Sequence, residues 1–237
     1  MGVYDITGAC IYDLPRMIRT MSESAPADWP RIDVELVNAG GKSLQLKWEA
    51  GEAPEMARAR IAAQAWDYVV VQELYSANEQ TFKGYATRFD DAIRKAGSKT
   101  ILFATASASE HYLASCRYPD AFIKLNDMQI ALGKERGIPV AAAGYAWMKY
   151  LGPNPSVAQM LDLYHKDKGH PGYKGSYIYA CLLYAVITGK NPAELTSEFK
   201  NIQGDIIIGK DEAAKMQKAA WAQYLENGKE IYLTIQS

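Results

Sequence analysis

Residues 66–73 read Trp66-Asp67-Tyr68-Val69-Val70-Val71-Gln72-Glu73. Tyr68 to Val71 are aromatic or β-branched, the side chains that fit a pleated surface. The run from Trp66 to Gln72 therefore predicts a strand buried on both faces, as in parallel sheets sandwiched between helices. Two polar residues, Gln72 and Glu73, stand at its end. Downstream, Asn78 to Ala96 reads as a helix stopped by Gly97, Thr100 to Ala104 as a buried strand, Asp120 to Arg136 as a helix ending at Gly137, and Val140 to Ala143 as a short strand. Upstream, Pro54 to Ala65 reads as a helix and Ile32 to Val37 as a strand that runs into the turn Asn38-Ala39-Gly40-Gly41. Val3 to Thr7 is a β-compatible start that ends at Gly8-Ala9-Cys10. Beyond it Leu14, Met17, Ile18 and Met21 recur at helical spacing, with Pro15 tolerated in the first turn. Strands alternating with helices predict an α/β fold whose parallel sheet has five strands and helices on both faces. Ligands of such sheets sit at the carboxyl ends of the strands.

Toward the C-terminus, Tyr173 to Thr188 is apolar around most of its circumference and predicts a buried helix, and Asp211 to Leu225 predicts an amphipathic one. No repeat, low-complexity tract or linker interrupts the chain, so residues 1–237 are expected to form a single domain.

About half of the 237 residues are apolar, enough for a sizeable core. A formal net charge of −1 and a pI near 6.3 carry no electrostatic footprint for nucleic acid or an anionic membrane, and neither is expected as a partner. Cys10, Cys116 and Cys181 are too few and too scattered for a disulfide framework or a Cys-x-x-Cys zinc site. Reduced thiols are expected. No basic segment followed by an apolar core opens the chain, and no apolar run approaches the length of a membrane span. The expectation is a cytoplasmic protein or an exported one whose signal has been removed. No Gly-x-Gly-x-x-Gly or Walker pattern follows any predicted strand, and His165 and His170 lack the spacing of a helical metal pair, so neither cofactor nor metal is expected.

Chemistry is expected first in Tyr164-His165-Lys166-Asp167-Lys168-Gly169-His170-Pro171-Gly172-Tyr173. Here a carboxylate and an imidazole lie three residues apart on a Gly/Pro-punctuated loop ahead of a helix, and an Asp that orients a His is the back half of a nucleophile-activating triad. Gly8-Ala9-Cys10, Asn38 to Gly41 and Gln72-Glu73 each follow a predicted strand and would open at one edge of the sheet. An Asp/His loop docked there would complete a site with nucleophile, base, orienting carboxylate and oxyanion donors. Each residue also has a plainer reading. Cys10 suits a buried strand end, His170 could simply precede the helix, and Gln72 could be an ordinary polar strand end. Glu73 could be a solvated or helix-capping carboxylate, or could hydrogen-bond the Gly40-Gly41 loop. His165 is the competing base, and Tyr75 and Tyr112 near the site edge could stack on a sugar ring.

Four blocks resemble the SGNH (GDSL-like) hydrolases, in particular the branch whose third motif reads Val-Val-Leu-Gln-Glu. Gly8-Ala9-Cys10-Ile11-Tyr12-Asp13-Leu14-Pro15-Arg16-Met17 is similar to that branch's Gly-Asn-Ser-Phe-Thr followed by Asp-Leu-Pro-Arg-Met. Asn38 to Leu44 resembles the second block, Trp66 to Glu73 with Ser76 the third, and Asp167 to Pro171 with Gly175-Ser176-Tyr177 the last. The resemblance implies a flavodoxin-like three-layer α/β/α sandwich hydrolysing esters, often acyl groups on carbohydrates. By position it implies His170 as general base and Asp167 as its orienting partner. The oxyanion donors would be the backbone N–H of residue 10, a backbone N–H at Gly40 or Gly41, and the amide of Gln72, which donates without bringing a charge.

The departure lies at the nucleophile, where the family pattern has Asn-Ser and this chain has Ala9-Cys10. A thiol beside His can act as a thiolate, because an imidazolium neighbour lowers its pKa. The leading expectation is an acyl-ester hydrolase acting on a carbohydrate ester or another small ester through Cys10, His170 and Asp167. A non-hydrolytic protein that binds a carbohydrate or acyl ligand in the same cleft, an acyltransferase, and a variant of a serine enzyme are the alternatives.

Overall fold

A computed structural model describes residues 2–4, 10–37, 41–74, 78–106, 120–166, 168, 170–200 and 206–228. The trio of strands predicted from the middle of the chain forms one parallel sheet. Strand β3 (Tyr68–Gln72) pairs with β4 (Lys99–Ala104), and β4 with β5 (Val140–Ala142), in the order β3-β4-β5. Strand alternation then sorts the side chains into two cores. Val71, Leu102, Ala104, Val140 and Ala142 face one layer, built from α2 (Leu44–Glu49), α3 (Ala57–Ala62), α4 (Glu79–Lys95) and α5 (Asp120–Arg136). Ile101, Phe103 and Ala141 face the other, built from α1 (Leu14–Glu23), α6 (Ala143–Leu151), α8 (Tyr173–Thr188) and α9 (Lys210–Gln223). Helix α7 (Val157–Leu161) leads into the loop ahead of α8. The result is a three-layer α/β/α arrangement.

Local signals set the helix ends. Asn78 caps α4 by accepting the N–H of Thr81, and Gly97, Gly137 and Gly189 follow α4, α5 and α8 with positive φ, where a Cβ would be strained. The α4 and α5 layer is further fastened by Asp90, fully buried. Its two carboxylate oxygens take Thr100 Oγ1 at 2.7 Å and the guanidinium groups of Arg94 and Arg136 at 2.9 and 2.7 Å.

Three expectations need correction. The parallel sheet has three strands among the described residues, not five. Ile32 to Val37 forms no strand among the described residues, and side chains occupy part of its backbone: the Ile32 N–H donates to Ser22 Oγ at 2.7 Å, the Val34 N–H to Asp33, and the Val34 carbonyl accepts from Arg19 at 2.9 Å. At the N-terminus, β1 (Gly2–Tyr4) and β2 (Cys10–Asp13) pair antiparallel, with Tyr4 opposite Cys10. Cys10 therefore opens the second strand of a ribbon instead of closing a strand of the main sheet; a reversal this short favours antiparallel pairing, since parallel partners need a long crossover. Finally, β3 is not covered on both faces. Val70 is 41% exposed, and β3 has one hydrogen-bonded neighbour, β4, among the described residues.

Candidate active site

At the carboxyl end of β3 the chain passes from half-buried Gln72 to Glu73, which is only 2% exposed. Glu73 is thus not a solvated carboxylate. One oxygen, Oε1, accepts the N–H of Leu44 at 3.0 Å and that of Leu74 at 2.6 Å. Leu44 is the first residue of α2, which Ser43 caps by accepting the Leu46 N–H. Gly41 just upstream has φ +68°, a left-handed turn that suits glycine. The end of the second block is therefore tied to the end of the third by a bond spanning 29 residues. Lys47 of α2 completes the cluster, its Nζ donating to the Gln72 carbonyl at 3.2 Å. Burial pushes the Glu73 pKa up, against the pull of the two N–H groups and Lys47. Burial pulls the Lys47 pKa down, partly offset by Glu73.

The His170 loop is closed on itself. Tyr164 bridges Pro171, the His165 N–H donates to the His170 carbonyl at 2.8 Å, the Lys168 N–H to the His165 carbonyl at 2.8 Å, and the Gly172 N–H to the Leu163 carbonyl at 2.9 Å. A Cβ on Gly172 would stand 2.8 Å from the Tyr164 carbonyl oxygen, so the close approach requires glycine there. The His170 side chain is exposed, and His165 is half-buried.

An aromatic chain ties this loop to the sheet. Tyr164 meets Trp147 of α6 edge-on at 5.0 Å, Trp147 stacks on Tyr179 of α8 at 5.1 Å, and the Ala106 N–H, just past the end of β4, donates to the Tyr179 hydroxyl at 2.8 Å. Desolvation raises the pKa of Tyr179, so its hydroxyl stays neutral. Trp147 also donates to the Gly175 carbonyl at 3.1 Å. A Cβ on Gly175 would lie 2.2 Å from Trp147 Cζ2 and 2.3 Å from the Leu163 carbonyl oxygen. Backbone and a packed indole cannot both give way, so Gly175→Ala should cost about 2–3 kcal/mol in urea unfolding. A loss under about 0.5 kcal/mol would show that the indole is free to move.

The structure therefore joins Gln72 and Glu73 to the segment after Gly41, and the His170 loop to the end of β4. Helix α8 also packs against β1, the partner strand of the one that begins at Cys10. Asp167 and Gly40 lie outside the described residues, as do Ser76, Tyr75 and Tyr112. Sequence reasoning missed Lys47, Trp147, Tyr164 and Tyr179. Nothing in their local pattern marks them, because their roles come from residues far along the chain. Cys181 behaves as expected: it is buried inside α8, and burial raises its thiol pKa.

With this geometry in view, a solved structure with the same overall arrangement is informative. A protein from Slackia heliotrinireducens, described as "a putative SGNH hydrolase", superimposes with a TM-score of 0.56 at 18% identity, over 72% of this chain and 90% of that one. The two chains share an overall fold. At that identity the likeness is one of fold alone. No protein-family model and no curated protein matches the chain. The described residues of the second, third and last blocks of the SGNH-like reading fall, in this structure, at the entry to α2, along and just after β3, and in the loop before α8 with the first turns of that helix.

Proposed function

We propose that the protein is an SGNH-type acyl-ester hydrolase that cleaves a carbohydrate ester or another small ester, with Cys10 as nucleophile, His170 as general base and Asp167 as the carboxylate that orients it. The observation that carries this reading is the aromatic chain from Tyr164 through Trp147 and Tyr179 to Ala106, which moors the His170 loop to the carboxyl end of β4. Ligands of parallel α/β sheets bind at that edge.

In this mechanism His170 takes the proton from the Cys10 thiol as sulfur attacks the ester carbonyl, and then gives it to the departing alcohol. The negative oxygen of the tetrahedral intermediate is met by the backbone N–H of residue 10, a backbone N–H at Gly40 or Gly41, and the Gln72 amide. Water, deprotonated by His170, then releases the acid from the thioester. No cofactor or metal is called on.

Turnover of p-nitrophenyl acetate by the purified chain is the direct test. Gln72→Ala should lower kcat roughly a hundredfold, the usual loss for one oxyanion donor. An unchanged kcat would remove the amide from the site. The Ala9-Cys10 pair favours one second reading, a protein that binds a sugar or acyl ligand without cleaving it. Saturable sugar binding with no ester turnover, in the parent and in Cys10→Ser alike, would support that reading over hydrolysis. Acyl transfer would show as amide product when an amine is added, since thioesters acylate amines readily.

A further inference from the structure

Two carboxylates are buried among the described residues, and they are satisfied differently. Asp90 has both oxygens occupied by charged or hydroxyl donors. Glu73 has two N–H groups on Oε1, whereas its buried Oε2 has no hydrogen-bond partner among the described residues. A carboxylate spreads its charge over both oxygens, so a bare one in a dry site is costly. The neutral acid fits the same geometry better, with Oε1 as the carbonyl that keeps both N–H bonds and the proton on Oε2. Lys47 is the charged group that acts on Glu73, and its ammonium donates to the Gln72 carbonyl instead of pairing with the carboxyl.

We infer that Glu73 is a positioning residue for the ester site, its neutral carboxyl clamping the first residue of α2 to the end of β3 and so setting the turn at Gly41 beside the Gln72 amide. The inference rests on the ester-hydrolase reading for its catalytic consequence. The clamp is defined by reach and shape, not by charge. The rise of the Glu73 pKa on burial agrees with this.

Substitutions separate shape from charge. Glu73→Gln keeps the reach and an oxygen that accepts both N–H groups. Glu73→Asp keeps the acid but draws it back by one methylene. With p-nitrophenyl acetate, Glu73→Ala and Glu73→Asp should lower kcat about ten- to a hundredfold, the scale of a misplaced catalytic group, with KM within about threefold. Glu73→Gln should regain most of what Glu73→Ala loses. The reverse order, with Asp active and Gln impaired, would overturn the inference, as would a Glu73→Ala protein with the parent's kcat.

Thermal unfolding as a function of pH reads the clamp without any ester chemistry. The folded chain holds the Glu73 proton more tightly than the unfolded chain. The parent's Tm should therefore fall relative to that of Glu73→Gln as pH rises from the ordinary glutamate value of 4.5 through the raised one. Parallel Tm profiles for the two proteins would overturn the neutral clamp. If no protein turns over any ester while the profiles diverge, the ester reading fails and the clamp stands.

Discussion

Replacing His170 with alanine should lower ester turnover by about 10²–10⁴-fold, the range that a positioned general base supplies. KM should move little, since the imidazole is assigned to proton transfer and not to holding the substrate. The fold should survive. The side chain is exposed, and the loop is closed through backbone groups, the His165 N–H to the His170 carbonyl and the Gly172 N–H to the Leu163 carbonyl, which alanine leaves in place. The paired measurement is kcat on p-nitrophenyl acetate and Tm on the same sample. Parent-like turnover in His170→Ala would remove the base from the mechanism and return attention to His165 in the same loop.

Replacing Cys10 with alanine should have the largest effect, a loss on the order of 10⁴–10⁶-fold, as found when a covalent nucleophile is deleted from a catalytic unit. Cys10→Ser is the sharper variant. A thiol beside an imidazole ionises far more readily than a hydroxyl, so a site that works through sulfur should lose at least about tenfold with serine. A gain in turnover would mean that the site is shaped for oxygen, and it would sink the thiolate mechanism. Alkylation offers an independent check. Iodoacetamide should inactivate the folded parent but not label Cys181, whose thiol is buried and held protonated. Labelling confined to Cys181 would contradict both assignments.

These outcomes bear on how the site is assembled. In the proposed mechanism the base and one oxyanion donor sit on separate supports: His170 on a loop moored through Trp147 and Tyr179, and Gln72 on a strand end clamped through Glu73 to α2. Gly175→Ala disturbs the first support and Glu73→Asp the second, so their effects on kcat should be nearly independent.

Much of the fold was legible in the sequence wherever the deciding interactions are local. Helix hydrogen bonds close within four residues, so periodicity and end signals were sufficient for α1, α4, α5, α8 and α9, and Asn78, Gly97 and Gly137 marked ends that the structure keeps. The β-branched run at Tyr68 to Val71 and the apolar Thr100 to Ala104 likewise announced the parallel sheet. A strand ladder, by contrast, depends on a remote partner. That is why Ile32 to Val37, with suitable alternation, forms no strand among the described residues and bonds side chains of Arg19 and Ser22, and why Cys10 to Asp13 pairs back on Gly2 to Tyr4. The site divides in the same way. Asp167 and His170 could be proposed for it from residue type and spacing, and Cys10 and Gln72 from their places after predicted strands. The burial of Glu73, its one-sided hydrogen bonding and the aromatic mooring of the His170 loop came only from tertiary structure, because each depends on groups that the folded chain brings together from distant positions.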